Sequence, residues 1–301
     1  VTVCHNAPAS IAPARGETAP AEALGTLPFG GMSLSVTLTE VRLGGGPYGG
    51  SVTEGVVRVG DTVRRPTRAS TPAVNALLAH LEAVGFDGAP RVLGVDELGR
   101  QVLTYIPGET ASRPLPAYAV SDETLVALAR LLRDFHDAAA GFRPPPGLVW
   151  EEGSGDDGEP EIVGHCDVTP ENVVFRDGRP VALIDFDLAR PTTRLFDVVT
   201  TLRHWAPLAD PVDADPRQRN LDVGRRLRLF CDAYGLPPRD RRRVVEVARL
   251  RFGRSYAAMR ARAIREGGGW ARMWASGAGD RIRRAAAWLD AHQEELERHL
   301  F

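Results

Sequence analysis

Residues 164–187, "GHCDVTPENVVFRDGRPVALIDFD", decide the reading of this chain. Asp167 stands five residues before Asn172, and Asp185 and Asp187 follow a second apolar run. The segments "NVVF" and "VALIDF" meet across Asp177-Gly178, a dipeptide that favours the two-residue hairpin turn with positive φ at both central positions. A turn at 177–178 pairs Asn172 near Leu183 and puts Asp185 one pleat beyond, about 7 Å from Asn172 by cross-strand spacing. Asp167, in the loop before the first strand, can face the same mouth. One amide oxygen with two or three carboxylates is a hard, oxygen-only set that suits Mg²⁺, an ion that keeps waters and shares phosphate oxygens. An Asp that binds no metal can accept the proton of an attacking hydroxyl. Turn chemistry explains any one of these residues, but not the ordered set beside an apolar hairpin.

The totals set the frame. A chain of 301 residues with 43% hydrophobic content is one large domain or two small ones with a real core. No apolar run approaches the roughly 18–20 residues that span a bilayer, and no basic-then-apolar leader opens the sequence. A cytoplasmic protein with no membrane partner is the expectation. Cys4, Cys166 and Cys231 are odd in number and widely spaced, which argues against a disulfide framework or a zinc cluster. Lysine is absent, so any role usually given to Lys falls to Arg. The net charge of −2 hides an asymmetry: 17 Arg face 29 Asp and Glu in residues 1–216, and 20 Arg face 10 acidic residues in 217–301. Such a split marks either a surface for anions or a set of solvated Arg-rich helix faces.

Along the chain, residues 1–31 are rich in Ala, Pro and Gly without a hydrophobic period and read as a disordered tail. Met32, where recognisable structure is about to begin, is a candidate native start. "SLSVTLTEVRL" alternates as a strand, and "GGGPYGGSV" (44–52) is a glycine-rich loop. "EGVVRVG" and "DTVRRPT" read as strands joined at Gly60-Asp61. A helix opens at Thr71-Pro72 and runs to about Val84, with Val74, Leu77, Leu78 and Leu81 on one face. "PRVLGVDELGRQVLTYI" gives two strands around a turn at Glu97–Gly99. After Pro107-Gly108 the pattern turns helical, beginning with "SDETLVALARLLRDFHDAA" behind an N-cap Ser121. "PEIV", "NVVF" and "VALIDF" are the strand candidates of this half. The acidic stretch 151–161 reads as an exposed loop, and amphipathic Arg-rich helices fill the chain from Arg217 onward.

"HCDVTPEN" and the later "DFD" are similar to the catalytic loop and metal motif of protein-kinase-like enzymes. In the form H-x-D-x-x-x-x-N with I-D-F-x, over residues 40–300, the chain resembles the aminoglycoside phosphotransferase (choline kinase-like) family of small-molecule kinases. The resemblance implies a bilobal α+β fold. A small antiparallel-sheet lobe with the hinge would occupy 32–107 and bind ATP, and a larger, mainly helical lobe would occupy 108–301 and bind Mg²⁺ and the acceptor. It implies Asp167 as the base, Asn172 and Asp185 as metal ligands, and Asp187 as an aid to a second metal or a brace for the loop. His165 and Asp197 would be structural supports, and Cys166 a filler.

In the first lobe, Gly49, Gly50 and Ser51 would turn over the phosphates, although a plain hairpin reads equally from "GGGPYGGSV". Arg65 stands where the family has Lys, with Arg64 second; Arg keeps the charge but changes the geometry. The helix carboxylate that would pair with it falls near Val74 or Asn75, where none stands. Thr104, Tyr105 and Ile106 would offer backbone groups to adenine.

The resemblance implies a small-molecule hydroxyl acceptor. The family includes enzymes for aminoglycosides, macrolides, homoserine and choline. A polycationic acceptor needs carboxylates, for which 151–161, Asp232, Glu266 and Asp280 are scattered candidates. The basic C-terminal half favours a neutral or anionic acceptor instead. Two other readings stay open. One is a nucleotide-binding protein without turnover, motivated by the missing Lys–Glu pair. The other is a regulatory protein that binds nucleic acid through its basic helices, for which no helix-turn-helix or aromatic platform speaks; no nucleic-acid partner is expected.

Overall fold

The structure is a computed structural model that describes residues 22–25, 36–43 and 55–301. Met32 and the phosphate-loop candidates Gly49, Gly50 and Ser51 lie outside the described residues. The first part is one antiparallel sheet. Its strands are β1 (Glu22–Gly25), β2 (Val36–Arg42), β3 (Val57–Val59), β4 (Thr62–Pro66), β5 (Val92–Val95) and β6 (Arg100–Thr104). Their order is β1-β2-β3-β4-β6-β5. β1 lies inside the segment 1–31 read as a disordered tail, and at residues 22–25 the structure departs from that reading. A strand of four residues needs no side-chain period when the open edge of β2 supplies the pairing, Glu22 opposite Thr39.

Helix α1 (Thr71–Ala83) starts with Pro72 in its first turn, where the missing N–H costs nothing. It buries Val74, Leu77, Leu78 and Leu81, the stripe its sequence period requires. The second part is mainly helical. Short strands β7 (Glu109–Thr110), β8 (Ile162–Gly164), β9 (Val173–Arg176), β10 (Arg179–Leu183) and β11 (Arg190–Thr192) accompany helix α2 (Asp122–Ala139). Then come α3 (Arg194–Trp205), α4 (Val223–Tyr234), α5 (Pro238–Arg241), α6 (Val244–Arg265), α7 (Gly268–Ala275), α8 (Ala278–Ala291) and α9 (Gln293–Leu300). Together the parts make the bilobal α+β architecture that the sequence implied.

Helix α2 organises this half. The Ser121 hydroxyl accepts the Thr124 N–H at 3.1 Å, and Asp122 and Glu123 stand in the first turn, where the helix dipole favours acid. Its buried face, with Leu125, Leu128, Leu132 and Phe135, packs against α4, β8 and β10. Strands β7 and β11 were not among the sequence candidates. They have two and three residues and no alternation, and exist because β9 and β8 offer them backbone partners.

The β9–β10 hairpin turns at Asp177 (φ 50°) and Gly178 (φ 70°), as the dipeptide demands. The register is one residue off the simple count. An irregularity between Pro180 and Ala182 sets Leu183 opposite Val173 rather than Asn172. The Ile184 N–H then donates to the Asn172 carbonyl at 2.9 Å, so Asn172 still sits at the open end of the hairpin.

Candidate active site

The loop that carries Asp167 is held from beneath by one buried carboxylate. Asp197, in the first turn of α3, is fully buried. Its Oδ2 accepts the His165 N–H at 2.7 Å, and its Oδ1 accepts the Cys166 N–H at 2.9 Å. His136 Nε2 lies 3.0 Å from Oδ2, and His136 Nδ1 lies 2.7 Å from the Tyr234 hydroxyl. Burial alone would raise the Asp197 pKa, but His136 and the backbone donors hold it below the ordinary aspartate value. Gly164 is required here, because a Cβ on it would stand 2.7 Å from Asp197 Oδ2. The same bonds keep Cys166 in the left-handed region, at φ 60°, a conformation that costs a side-chain-bearing residue about 1–2 kcal/mol.

His165 is fully buried and packs 4.5 Å from the Phe186 ring, with Nε2 3.0 Å from the Ile184 carbonyl. Burial lowers its pKa and keeps the ring neutral. Cys166 is buried, and burial pushes its thiol up to about 12, so it is an inert filler.

Above this floor, the Asn172 amide donates to the Asp167 carbonyl at 2.9 Å and to Asp167 Oδ2 at 3.0 Å. Burial, and then the nearby charge of Asp185, push the Asp167 carboxyl up to about 7; Arg251 and the Asn172 bond pull the other way. Asp185 adopts φ 62° at the end of the hairpin. Arg65 donates to Asp185 Oδ1 at 3.2 Å and to Asp187 Oδ2, and Arg68 Nε lies 3.7 Å from the same Asp187 oxygen. Burial would lower the Arg65 pKa, but the two aspartates raise it above its ordinary value.

Strand period sorts the two arginine candidates. Arg65 is buried and turned to the aspartates, whereas Arg64 turns away and pairs with Asp96 at 3.3 Å. On α1, Asn75 accepts a hydrogen bond from Gln101, and no carboxylate of α1 pairs with Arg65. The partners of Arg65 therefore come from the hairpin end. In the segment expected to form the hinge, the Tyr105 N–H is committed to the Asp61 carbonyl at 2.8 Å and the Thr104 N–H to the Arg91 carbonyl at 2.9 Å. Of the three N–H groups, that of Ile106 alone has no protein acceptor among the described residues. None of Thr104, Tyr105 and Ile106 lines the described cleft.

That cleft has a volume of about 360 Å³. Asp167, Asn172, Asp185 and Asp187 line one part, and Arg190, Arg203 and Arg251 another. Among the described residues no three His, Cys, Asp or Glu side chains are grouped to hold a metal. Asp187 is engaged by two guanidiniums, whereas Asp185 keeps 39% of its side chain exposed. The open oxygens are thus those of Asn172 and Asp185. Two hard ligands completed by water and phosphate fit Mg²⁺, which seldom takes an all-protein cage.

The scattered acidic candidates do not converge. Asp232, Glu266 and Asp280 lie outside the cleft lining and pair with Arg241, with Arg265 and Arg262, and with Arg283. The acidic loop is largely spent on α6: Glu151 meets Arg262 at 2.5 Å, Glu152 meets Arg265 at 2.9 Å, and Asp157 meets Arg254 at 2.5 Å. Part of the charge asymmetry is therefore cancelled within the molecule. The sequence reading missed Arg190, Arg203 and Arg251. One signal was present: Arg251 falls on the buried stripe of α6, with Val244, Val247, Ala248 and Ser255, where an apolar residue belongs.

This fold and this constellation define a kinase-like phosphotransferase scaffold. The chain belongs to the phosphotransferase enzyme family (APH), whose sequence model matches residues 49–150 and 148–230. It is 34% identical over 259 residues to the trifolitoxin immunity protein of Rhizobium leguminosarum bv. trifolii, covering 80% of this chain and 93% of that protein. Among solved structures it is similar to amicoumacin kinase hAmiN in complex with AMP-PNP, Ca²⁺ and Ami (TM-score 0.54, 12% identity, 89% and 88% of the two chains). It is also similar to a choline/ethanolamine kinase family protein from Mesorhizobium loti (TM-score 0.52, 18% identity, 81% and 87% of the two chains). No helix of the described residues is long and apolar enough to cross a membrane.

Proposed function

We propose that this protein moves the γ-phosphoryl group of ATP to a hydroxyl of a small molecule, and that the acceptor is a toxic natural product or another small alcohol. The observation that carries the reading is the contact of Asp167 with Asn172 beside Asp185 in one cleft. The immunity relative supports a protective role. Mg²⁺, held by Asn172 and Asp185 with ATP, would shield the phosphate charge.

Asp167 orients the acceptor hydroxyl and receives its proton. The acceptor oxygen bonds to the γ-phosphorus, the bridge between β- and γ-phosphates breaks, and ADP leaves with the electron pair. A carboxyl with its pKa near 7 is a stronger proton acceptor than an ordinary aspartate, yet is substantially ionised at neutral pH. Asp197 and the buried His165 keep the loop from moving, so that positioning is settled before the acceptor arrives. Arg65 reaches the phosphates from β4, with Asp187 and Arg68 fixing its place. Residues 32–107 would form the nucleotide lobe and hinge, and 108–301 the catalytic and acceptor lobe.

The test is mass spectrometry of a panel of aminoglycosides, macrolides and small alcohols incubated with protein, ATP and Mg²⁺. One acceptor gains a phosphate, and the gain disappears with EDTA. Nucleotide binding with no phosphorylated product from any acceptor would favour the reading without turnover, which the absent α1 carboxylate motivates.

A further inference from the structure

Beside Arg68 and Arg262, which pair with carboxylates, and Arg281, which donates to Ser276, the cleft is lined by three further guanidinium groups from three different elements: Arg190 on β11, Arg203 on α3 and Arg251 on α6. None is ion-paired with a carboxylate among the described residues. Arg190 is only 8% exposed, and its Nε and Nη1 are buried without a hydrogen-bond partner among the described residues. Its guanidinium lies against the backbone of Gly153, where a Cβ would collide with it. Arg203 stands 5.5 Å from the centre of the Phe252 ring. Arg251 is 7% exposed and, among the described residues, donates only to neutral hydroxyls, Thr200 at 2.9 Å and Ser255 at 3.1 Å.

The carboxylates of the same cleft are already taken. Glu152 pairs with Arg265, Glu171 lies 3.9 Å from Arg113, and Asp185 and Asp187 hold Arg65. Asp167 is the one left near Arg203 and Arg251, and it is the proposed base. Burial, followed for Arg251 by repulsion from Arg203, depresses Arg251 to about 9; burial depresses Arg203 to about 10, with Arg281 and Arg113 adding to it. A buried charge is expensive unless a counter-charge meets it. Here the protein supplies three cations and leaves the counter-charge to something else. Past the arginines the wall is apolar, with Met259, Trp270, Met273 and Ile282.

We propose that the acceptor is anionic: a hydroxyl compound with an apolar body and a carboxylate, which Arg190, Arg203 and Arg251 bind while its hydroxyl faces Asp167. This inference rests on the phosphotransferase reading above and names its substrate class. It excludes a polycationic aminoglycoside, which would meet these arginines and, among the described residues, no carboxylate of the cleft beyond the base that is not held by an arginine or proposed for the metal. Guanidinium forks match a carboxylate geometrically, and two or three around one anion make a specific site.

The test uses full-length protein saturated with Mg·AMP-PNP and three matched probes: 3-phenyllactate (anion), 3-phenyllactamide (neutral) and phenylalaninol (cation). Calorimetry is expected to show the anion bound at least tenfold more tightly than the amide and the cation weakest, since a charge-assisted bond is worth about a tenfold change or more. Arg203→Gln, whose side chain has no hydrogen bond to lose among the described residues, should reduce phenyllactate affinity about tenfold and leave AMP-PNP affinity unchanged. Arg190→Gln should do the same and guards against an accidental effect of one variant. Equal affinity for anion and amide, preference for the cation, or no binding of the anion overturns the inference. So does a loss of AMP-PNP affinity in both variants, which would assign the cluster to the nucleotide phosphates. Failure of the wild-type protein to bind Mg·AMP-PNP at all would instead overturn the phosphotransferase reading.

Discussion

Replacing Asp197 by Asn tests how the loop of Asp167 is held. The carboxylate accepts from His165 N–H, Cys166 N–H and His136 with no exposure to water. Asn has one acceptor oxygen and one NH₂. If its oxygen keeps the two donors on the Oδ2 side, its NH₂ faces the Cys166 N–H, donor against donor. One buried N–H then loses its partner, about 1–3 kcal/mol, and the surviving bonds lose their charge assistance, about 1 kcal/mol more. A total near 3 kcal/mol lowers Tm by roughly 5 °C in a chain of this size. Urea and thermal unfolding at pH 7.5 measure it, with Tyr234→Phe as a control that removes only the far end of the chain of bonds and should cost about 1 kcal/mol.

The sign with pH follows from the depressed Asp197 pKa. The stabilisation is fully present above the ordinary aspartate pKa, near 4, and is lost as pH falls through the lower folded value. The gap between wild type and Asn variant should therefore narrow in acid. A variant within 0.5 kcal/mol of wild type at pH 7.5 would refute the claim that Asp197 holds the loop.

Asp167→Asn should abolish turnover yet stabilise the metal-free, nucleotide-free protein. The Asp167 pKa is raised from 3.8 to about 7, so wild type loses stability as pH rises between those values. Urea unfolding in EDTA should show an advantage to the variant of up to about 4 kcal/mol above pH 7, vanishing below pH 4. Arg65→Ala removes the cation proposed to reach the phosphates and leaves Asp185 and Asp187 without it, and should weaken Mg·AMP-PNP binding at least tenfold by calorimetry; Arg64→Ala, on the other face, should leave that affinity unchanged. Gly178→Val puts a β-branched residue at φ 70° in the hairpin turn and should cost about 1–2 kcal/mol, read as a lowered urea midpoint.

What the sequence revealed depended on how local the cause was. The β9–β10 hairpin was legible because Asp177-Gly178 specifies its turn without help from the rest of the chain. The α1 stripe was legible because four apolar residues repeat at helical spacing. Arg65 was the first candidate and Arg64 the second, and the structure turns Arg65 to the aspartates and Arg64 to Asp96. The register slip near Pro180 was not legible, since an irregularity of one residue leaves the pattern of apolar residues almost unchanged. Strands β1, β7 and β11 depend on backbone partners far away in sequence. The commitment of Asp187 to Arg65 and Arg68 is equally non-local. Arg190, Arg203 and Arg251 converge only after three elements pack, and the one local signal among so many arginines was the place of Arg251 on the buried stripe of α6.

The most direct measurement is ADP release with Mg·ATP across a panel of acceptors that includes hydroxy acids, wild type beside Asp167→Asn. Release that depends on one acceptor and collapses in the variant is the predicted result. Acceptor-dependent release that survives Asp167→Asn, or no release from any acceptor while Mg·ATP is bound, would contradict the account.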